Sequence, residues 1–245
     1  MDFFSDSRLL LDAKRVILTA MSDTRLTPHP SGRPEIRRPA QKRSKVRFEA
    51  ILDGAERLLD KLPTAALSIH AIAAEVGISP PSIYHFFPEP QLVFSALAER
   101  YLRRFEQTVL TEVPENVESW QDLQTRQFRA AQQWFNAHPA ARQVLLGGPA
   151  WSPDIGIQDH DSNYVTAQRS LELMDALFVM PEVPDLRDRL VEVIVISDAI
   201  WSLSIHRHGF ITDAMEEQAR RARIAYSRTF LPEYLPLRAT GTKPA

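Results

Sequence analysis

Two serines, Ser68 and Ser79, each stand ahead of a short run with helical apolar spacing. A serine hydroxyl in that place accepts a hydrogen bond from a first-turn backbone N–H, so both read as helix caps. Between the runs lies Val76-Gly77-Ile78, a turn in which Gly77 can enter a left-handed conformation at little cost. Pro80 and Pro81 fall in the first turn of the second run, where a missing N–H does least harm. That run then offers Ser82, Tyr84 and His85: a hydroxyl, a phenol and an imidazole, all groups that hydrogen-bond outward. Upstream, the window Arg33 to Arg47 holds seven basic residues (Arg33, Arg37, Arg38, Lys42, Arg43, Lys45 and Arg47) against the single acid Glu35. The window carries +6 and leaves −8 on the other 230 residues. A basic arm on an acidic body is an electrostatic footprint for a polyanion; a solvated tail is the alternative reading.

Residue sets for catalysis are missing from the sequence. His206 and His208 are two positions apart, so on one helix they cannot face a common metal. Asp159-His160-Asp161 reads as a solvated helix start, with divalent-metal binding a remote alternative. The chain has no phosphate-binding glycine loop, no serine-elbow motif and no His-x-x-x-His pair. It has no cysteine, which excludes disulfides, thiolate zinc sites, iron–sulfur clusters and cysteine nucleophiles. No enzymatic activity, metal or cofactor is expected.

These groups need elements to hold them. With 245 residues, 44% hydrophobic and 24% charged, the chain has enough apolar content to fold into one large or two small domains. Only 8 glycines and long stretches of 3.6-residue spacing argue for an all-α protein. The spacing predicts helices over 42–61, 69–75, 80–87, 90–109, 116–138, 159–180, 186–206 and 212–234. Gly54 sits inside the first of these, which implies close packing or simple tolerance. Residues 1–21 fit one amphipathic helix, and the proline-broken stretch from Thr27 to Pro34 reads as a linker. The most apolar run, Val191 to Ile205, is interrupted by Glu192 and Asp198, so no membrane span is expected. The N-terminus lacks a basic stretch ahead of its apolar residues, and a soluble, cytoplasmic protein is the expectation.

Two short capped helices joined by a glycine turn form a helix-turn-helix, whose second helix fits a DNA major groove. The stretch Ser68 to Phe87, preceded by the helix Arg47-Phe48-Glu49-Ala50-Ile51-Leu52-Asp53-Gly54-Ala55-Glu56-Arg57-Leu58-Leu59, resembles the DNA-binding motif of TetR-family transcriptional regulators. The resemblance implies an N-terminal three-helix helix-turn-helix domain over 41–105. A C-terminal helical bundle for effector binding and dimerisation would follow over 106–238, with a basic extension over 1–40 and a tail over 239–245. Under it, Ser82 and His85 would meet base edges, Tyr84 a backbone phosphate, and Pro80 and Pro81 thymine methyls. Ser68 and Ser79 are caps first, at helix N-termini that also welcome a phosphate. Arg43, Lys45 and Arg47 would meet the DNA backbone, and Arg37 and Arg38 would reach the minor groove as a flexible arm. The family usually has a lysine near the start of the fourth helix; here Pro90 stands there beside Glu89, so the basic arm would replace that phosphate contact.

In the remaining chain, Phe105, Trp134, Trp151, Tyr164, Phe178, Trp201 and His206 are candidates to line a pocket for a small, largely apolar effector, with plain core packing as the alternative for each. The stretch 186–206 is apolar almost all round. Such a helix must be buried on every side, most easily against a second copy. The resemblance implies a homodimer through residues 186–234 on an inverted-repeat operator in double-stranded DNA. The expected function is thus an effector-responsive repressor. A structural DNA-binding protein without ligand control and, remotely, a helical-bundle enzyme are the alternatives.

Overall fold

A computed structural model of the protein describes residues 35–109, 114–147 and 153–238, with side chains in the last stretch from Ser162 onward. The readings of residues 1–34, Trp151, the side chains of Asp159, His160 and Asp161, and the tail from 239 lie outside the described residues.

Helix α1 (Lys42–Leu59) buries Phe48, Ile51, Leu52, Ala55 and Leu59 along one face, the stripe that 3.6-residue spacing lays down. It stops two residues short of the expected end, where Leu62 N–H folds back onto the Leu58 carbonyl at 2.8 Å. After a single 3-10 turn (Thr64–Ala66), α2 (Ile69–Val76) starts at Ser68, whose hydroxyl accepts the Ala71 N–H at 3.1 Å. Gly77 ends α2 with φ +66°, the left-handed geometry its lack of a Cβ permits. Helix α3 (Pro80–Phe86) follows, then α4 (Gln91–Val109).

Close packing, rather than tolerance, accounts for Gly54. A Cβ there would lie 2.1 Å from Val76 Cγ1 at the end of α2. Alanine would gain about 1 kcal/mol of helix propensity, whereas overpacking typically costs about 1–3 kcal/mol. Gly54→Ala is therefore expected to lower stability by up to about 2 kcal/mol, read from the denaturant midpoint. A more stable variant would show that α1 and α2 separate freely.

The C-terminal part is built from α5 (Trp120–Ala137), α6 (Pro139–Leu145), α7 (Pro153–Leu177), α8 (Leu186–His208) and α9 (Asp213–Ser227). Serine and threonine caps set two of the starts: Ser119 accepts the Asp122 N–H and Thr212 the Met215 N–H. Four of these helices have boundaries that differ from expectation. Helix α5 begins at Trp120 instead of 116, because Asn116 takes a positive φ of 54°. Helix α7 starts earlier, at Pro153, and ends at Leu177, since Phe178 instead pairs in an isolated antiparallel bridge with Leu237. Helix α8 runs two residues further than expected, to His208, where Gly209 stops it at φ +80°. Helix α9 ends at Ser227 instead of 234; the chain then turns so that the Pro232 carbonyl accepts the Trp120 indole N–H at 2.9 Å.

Two apolar cores result. One runs without interruption from α1–α4 into α5 and α6 and reaches Trp201, Ile211 and Ala219. The other joins Trp120 and Leu123 to Phe178 and Met174 of the α7 end and to Leu190 of α8. Among the described residues no helix is long and apolar enough to cross a membrane.

Candidate nucleic-acid interface and the adjoining cavity

The three aromatic rings Phe48, Phe86 and Phe87 anchor α3. Phe48 stacks on Phe87 with centroids 4.8 Å apart and meets Phe86 edge-on at 5.8 Å. With Ile83 also fully buried, the helix has one rotational setting. It turns Pro81, Tyr84 and His85 outward, Tyr84 being 41% exposed, and leaves Pro80 and Ser82 half-buried. Ser79 occupies the N-cap position but its side chain caps nothing. Prolines at the first two helical positions carry no N–H, and the Ser82 N–H is taken by the Ser79 carbonyl at 2.9 Å. The Ser79 hydroxyl therefore pairs with the Ser82 hydroxyl at 2.9 Å. Ser68 differs: its hydroxyl is a true cap.

Lys42, Arg43, Lys45 and Arg47 are exposed in the first two turns of α1. Arg37 and Arg38 are exposed too, but the segment they belong to is tied down rather than loose. The Arg37 N–H donates to the Phe86 carbonyl at the end of α3 at 2.9 Å. The Arg38 guanidinium donates to both carboxylate oxygens of Glu99 on α4 at 2.5 and 2.6 Å. An acid within reach on α4 thus replaces free solvation of that side chain.

Helix α4 carries the link to the rest of the chain. Arg100, 7% exposed, donates to Asp53 at 2.7 Å, to Glu49 at 2.5 Å and to Glu56 at 3.3 Å on α1. Burial works against its charge, yet the hydrogen bonds to Asp53 and Glu49 prevail and hold its pKa above the ordinary arginine value. Beside it, burial pushes the Tyr101 phenol pKa up, helped by Glu56 and Asp60. The first half of α4 is therefore locked to α1. In its second half, Leu102, Phe105 and Val109 form one wall of a cavity of about 70 Å³.

Gln127, Phe128, Ala131 and Phe135 of α5 make the opposite wall of the cavity. Ser162, Asn163, Thr166 and Ser170 of α7 and Ile194, Asp198 and Trp201 of α8 close it. Of the expected lining residues, Phe105 and Trp201 lie there. Trp134 instead stacks on His138 with centroids 4.5 Å apart. Phe178 is fully buried in the second core. Tyr164 is half-buried against the second core, with the Arg187 guanidinium 5.2 Å above its ring. His206 is exposed near the end of α8. The sequence reading missed the polar members of the cavity wall. Their signal was the i, i+4, i+8 row Ser162, Thr166, Ser170, a stripe of small hydroxyls on one helix face.

Among the described residues no group of three or more His, Asp or Glu could hold a metal ion.

Residues 51–91 match the family described as bacterial regulatory proteins, tetR family. The HTH-type transcriptional regulator EthR of Mycobacterium tuberculosis is 35% identical over 78 residues, 32% of this chain and 36% of that protein. The chain thus matches about a third of the length of this curated relative. A TetR-family transcriptional regulator from Streptomyces coelicolor superposes with a TM-score of 0.58 at 21% identity, covering 76% of this chain and 99% of the other. The multidrug binding protein EbrR, solved with imidazole, gives a TM-score of 0.56 at 18% identity over 88% of this chain and 100% of its own. At these identities the two structures share the fold. Over residues 51–91 the chain thus carries a helix-turn-helix segment similar to that of the tetR family of bacterial regulatory proteins.

Proposed function

We propose that the protein is a sequence-specific DNA-binding repressor that acts as a homodimer on an inverted repeat and releases it when an effector enters the cavity. The observation that carries this reading is α4, one helix whose first half is locked to the DNA-binding domain by Arg100 and whose second half lines the cavity. A ligand that shifts the cavity end of α4 moves α1–α3 with it. Half-sites lie about 34–36 Å apart, so a displacement of a few ångströms spoils simultaneous docking. The coupling required is typically about 1–3 kcal/mol.

On this reading α3 enters the major groove with Ser82 and His85 at base edges, Tyr84 on a phosphate, and Pro80 and Pro81 against thymine methyls. Ser68 and Ser79 sit near phosphates. Arg43, Lys45 and Arg47 follow the backbone, and Arg37 and Arg38 reach toward the minor groove. The groups named on this surface bind and orient, and none of them is paired as nucleophile and base. A selection of bound fragments from random DNA tests the reading. The expected product is an inverted repeat with half-sites one helical turn apart, and unrelated fragments would overturn it.

The dimer reading draws on α8. Within one chain Val195 and Leu203 remain 49% and 40% exposed, so a helix apolar almost all round is not covered on every side by its own body. A second copy over α8 and α9 would cover them, in an isologous interface. Val195→Glu is expected to weaken dimerisation at least tenfold, since a carboxylate would be buried unpaired. Equal dimerisation of variant and parent in sedimentation would place the interface elsewhere.

Arg38 must leave Glu99 to touch DNA. An exposed ion pair is worth about 0.2–1 kcal/mol, so Glu99→Ala is expected to tighten operator binding by up to about fivefold. Unchanged affinity in a titration would keep Arg38 off the DNA.

A further inference from the structure

Helix α5 carries two buried amide atoms without partners, one on the cavity wall and one beside it. Gln124 is 3% exposed. Its Nε2 donates to the Ser227 hydroxyl at 3.1 Å, while its Oε1 has no hydrogen-bond partner. The Gln127 Nε2 is likewise buried and without a partner. Gln127 faces the main cavity, and both glutamines line a smaller void that shares Gln127, Phe128, Ser170 and Ile194 with it. Residues three apart on a helix are surface neighbours, with Cβ atoms about 5–6 Å apart. An unmet acceptor and an unmet donor therefore stand side by side at the edge of an apolar space.

Buried polar groups in native proteins are almost always satisfied, and an exception calls for a reason. One molecule could satisfy both atoms if it accepts from Gln127 and donates to Gln124. A carboxamide does both at once, with its carbonyl toward Gln127 Nε2 and its N–H toward Gln124 Oε1. A carboxylate accepts but cannot donate, and among the described lining residues it would meet Asp198 and no Lys, Arg or His. An alkylammonium donates but cannot accept, leaving Gln127 unmet. The remaining wall, with Leu102, Phe105, Phe128 and Trp201, suits an apolar body.

We propose that the cavity binds an uncharged, largely apolar molecule headed by a carboxamide, held by Gln124 and Gln127. Its consequence for DNA rests on the repressor reading above; the binding itself does not. The test is calorimetric titration of the full chain with three six-carbon probes: hexanamide, hexanoate and hexylamine. Hexanamide is expected to bind at least tenfold more tightly than either charged probe. Gln127→Leu is expected to remove that preference while its thermal midpoint does not fall, because the change deletes an unpaired polar atom. A merely structural glutamine would show the opposite pair of results. Equal or tighter binding of a charged probe, no binding of hexanamide, or a preference that survives Gln127→Leu would overturn the proposal. DNA titration of the same samples separates the two readings. Amide-selective binding without loss of DNA affinity supports this inference and contradicts effector control. Selective DNA binding with no amide preference overturns this inference and leaves the DNA-binding reading standing.

Discussion

Arg223→Leu is expected to destabilise the protein by about 3–5 kcal/mol, the cost of leaving a buried charge without its partner. Arg223 is fully buried, and its guanidinium donates to Glu216 at 2.7 Å. The same guanidinium lies 4.3 Å from the centroid of the Phe128 ring. Glu216, 5% exposed, also accepts the Trp201 indole N–H at 2.8 Å. Phe128 and Trp201 both line the cavity, so an ion pair carried by α9 forms the support behind the cavity wall. Burial pulls the Arg223 pKa below the ordinary arginine value, and Glu216 opposes that pull. Removing the cation leaves the Glu216 carboxylate dry with only an indole to face. Removing both charges avoids this, so Glu216→Met combined with Arg223→Leu is expected to be more stable than Arg223→Leu alone. Denaturant unfolding of the two variants decides it. A cost below about 1 kcal/mol for Arg223→Leu would mean that water reaches the pair.

The second large effect concerns the basic start of α1. Arg43, Lys45 and Arg47 are exposed in its first two turns. If each meets a phosphate, replacing all three by alanine reduces the slope of log affinity against log salt by about 0.9 per contact. Affinities at 50 and 200 mM salt would then differ about 40-fold less in the variant than in the parent. The loss should be nearly uniform across DNA sequences, because phosphates carry no sequence information. An unchanged slope would mean that these side chains stay in solvent.

The helix-turn-helix was legible because its signals are local. The Ser68 cap, the left-handed Gly77 and the prolines opening α3 all act within a turn of the residues they organise. Even there a competing local bond prevailed once: the Ser79 hydroxyl found no free amide and turned to Ser82. In the C-terminal part the presence of helices was readable, but their rotation was not. Helix α7 mixes small polar and apolar residues, so its periodicity does not say that Asn163 and Thr166 face the cavity while Tyr164, against the second core, meets Arg187. Aromatic residues were the natural pocket candidates, yet Trp134 and Phe178 went to the cores, where burying large rings contributes most. Arg223 stands in Arg220-Arg221-Ala222-Arg223, which reads as a solvated face. Only the packing of α9 against α5 and α8 singles it out as buried. Gln124 and Gln127 were hidden for the same reason, since a glutamine on a helix is usually exposed.

The proposed function requires selective DNA recognition by α3. The direct measurement titrates the purified full chain against its own upstream intergenic DNA and against a scrambled duplex of equal length, at several salt concentrations. Tight, salt-sensitive binding to the first is expected, with two chains per site, and binding to the scramble weaker by at least about a thousandfold. Equal affinity for both at every salt concentration, with the selection from random DNA yielding no common repeat, would contradict the proposed function.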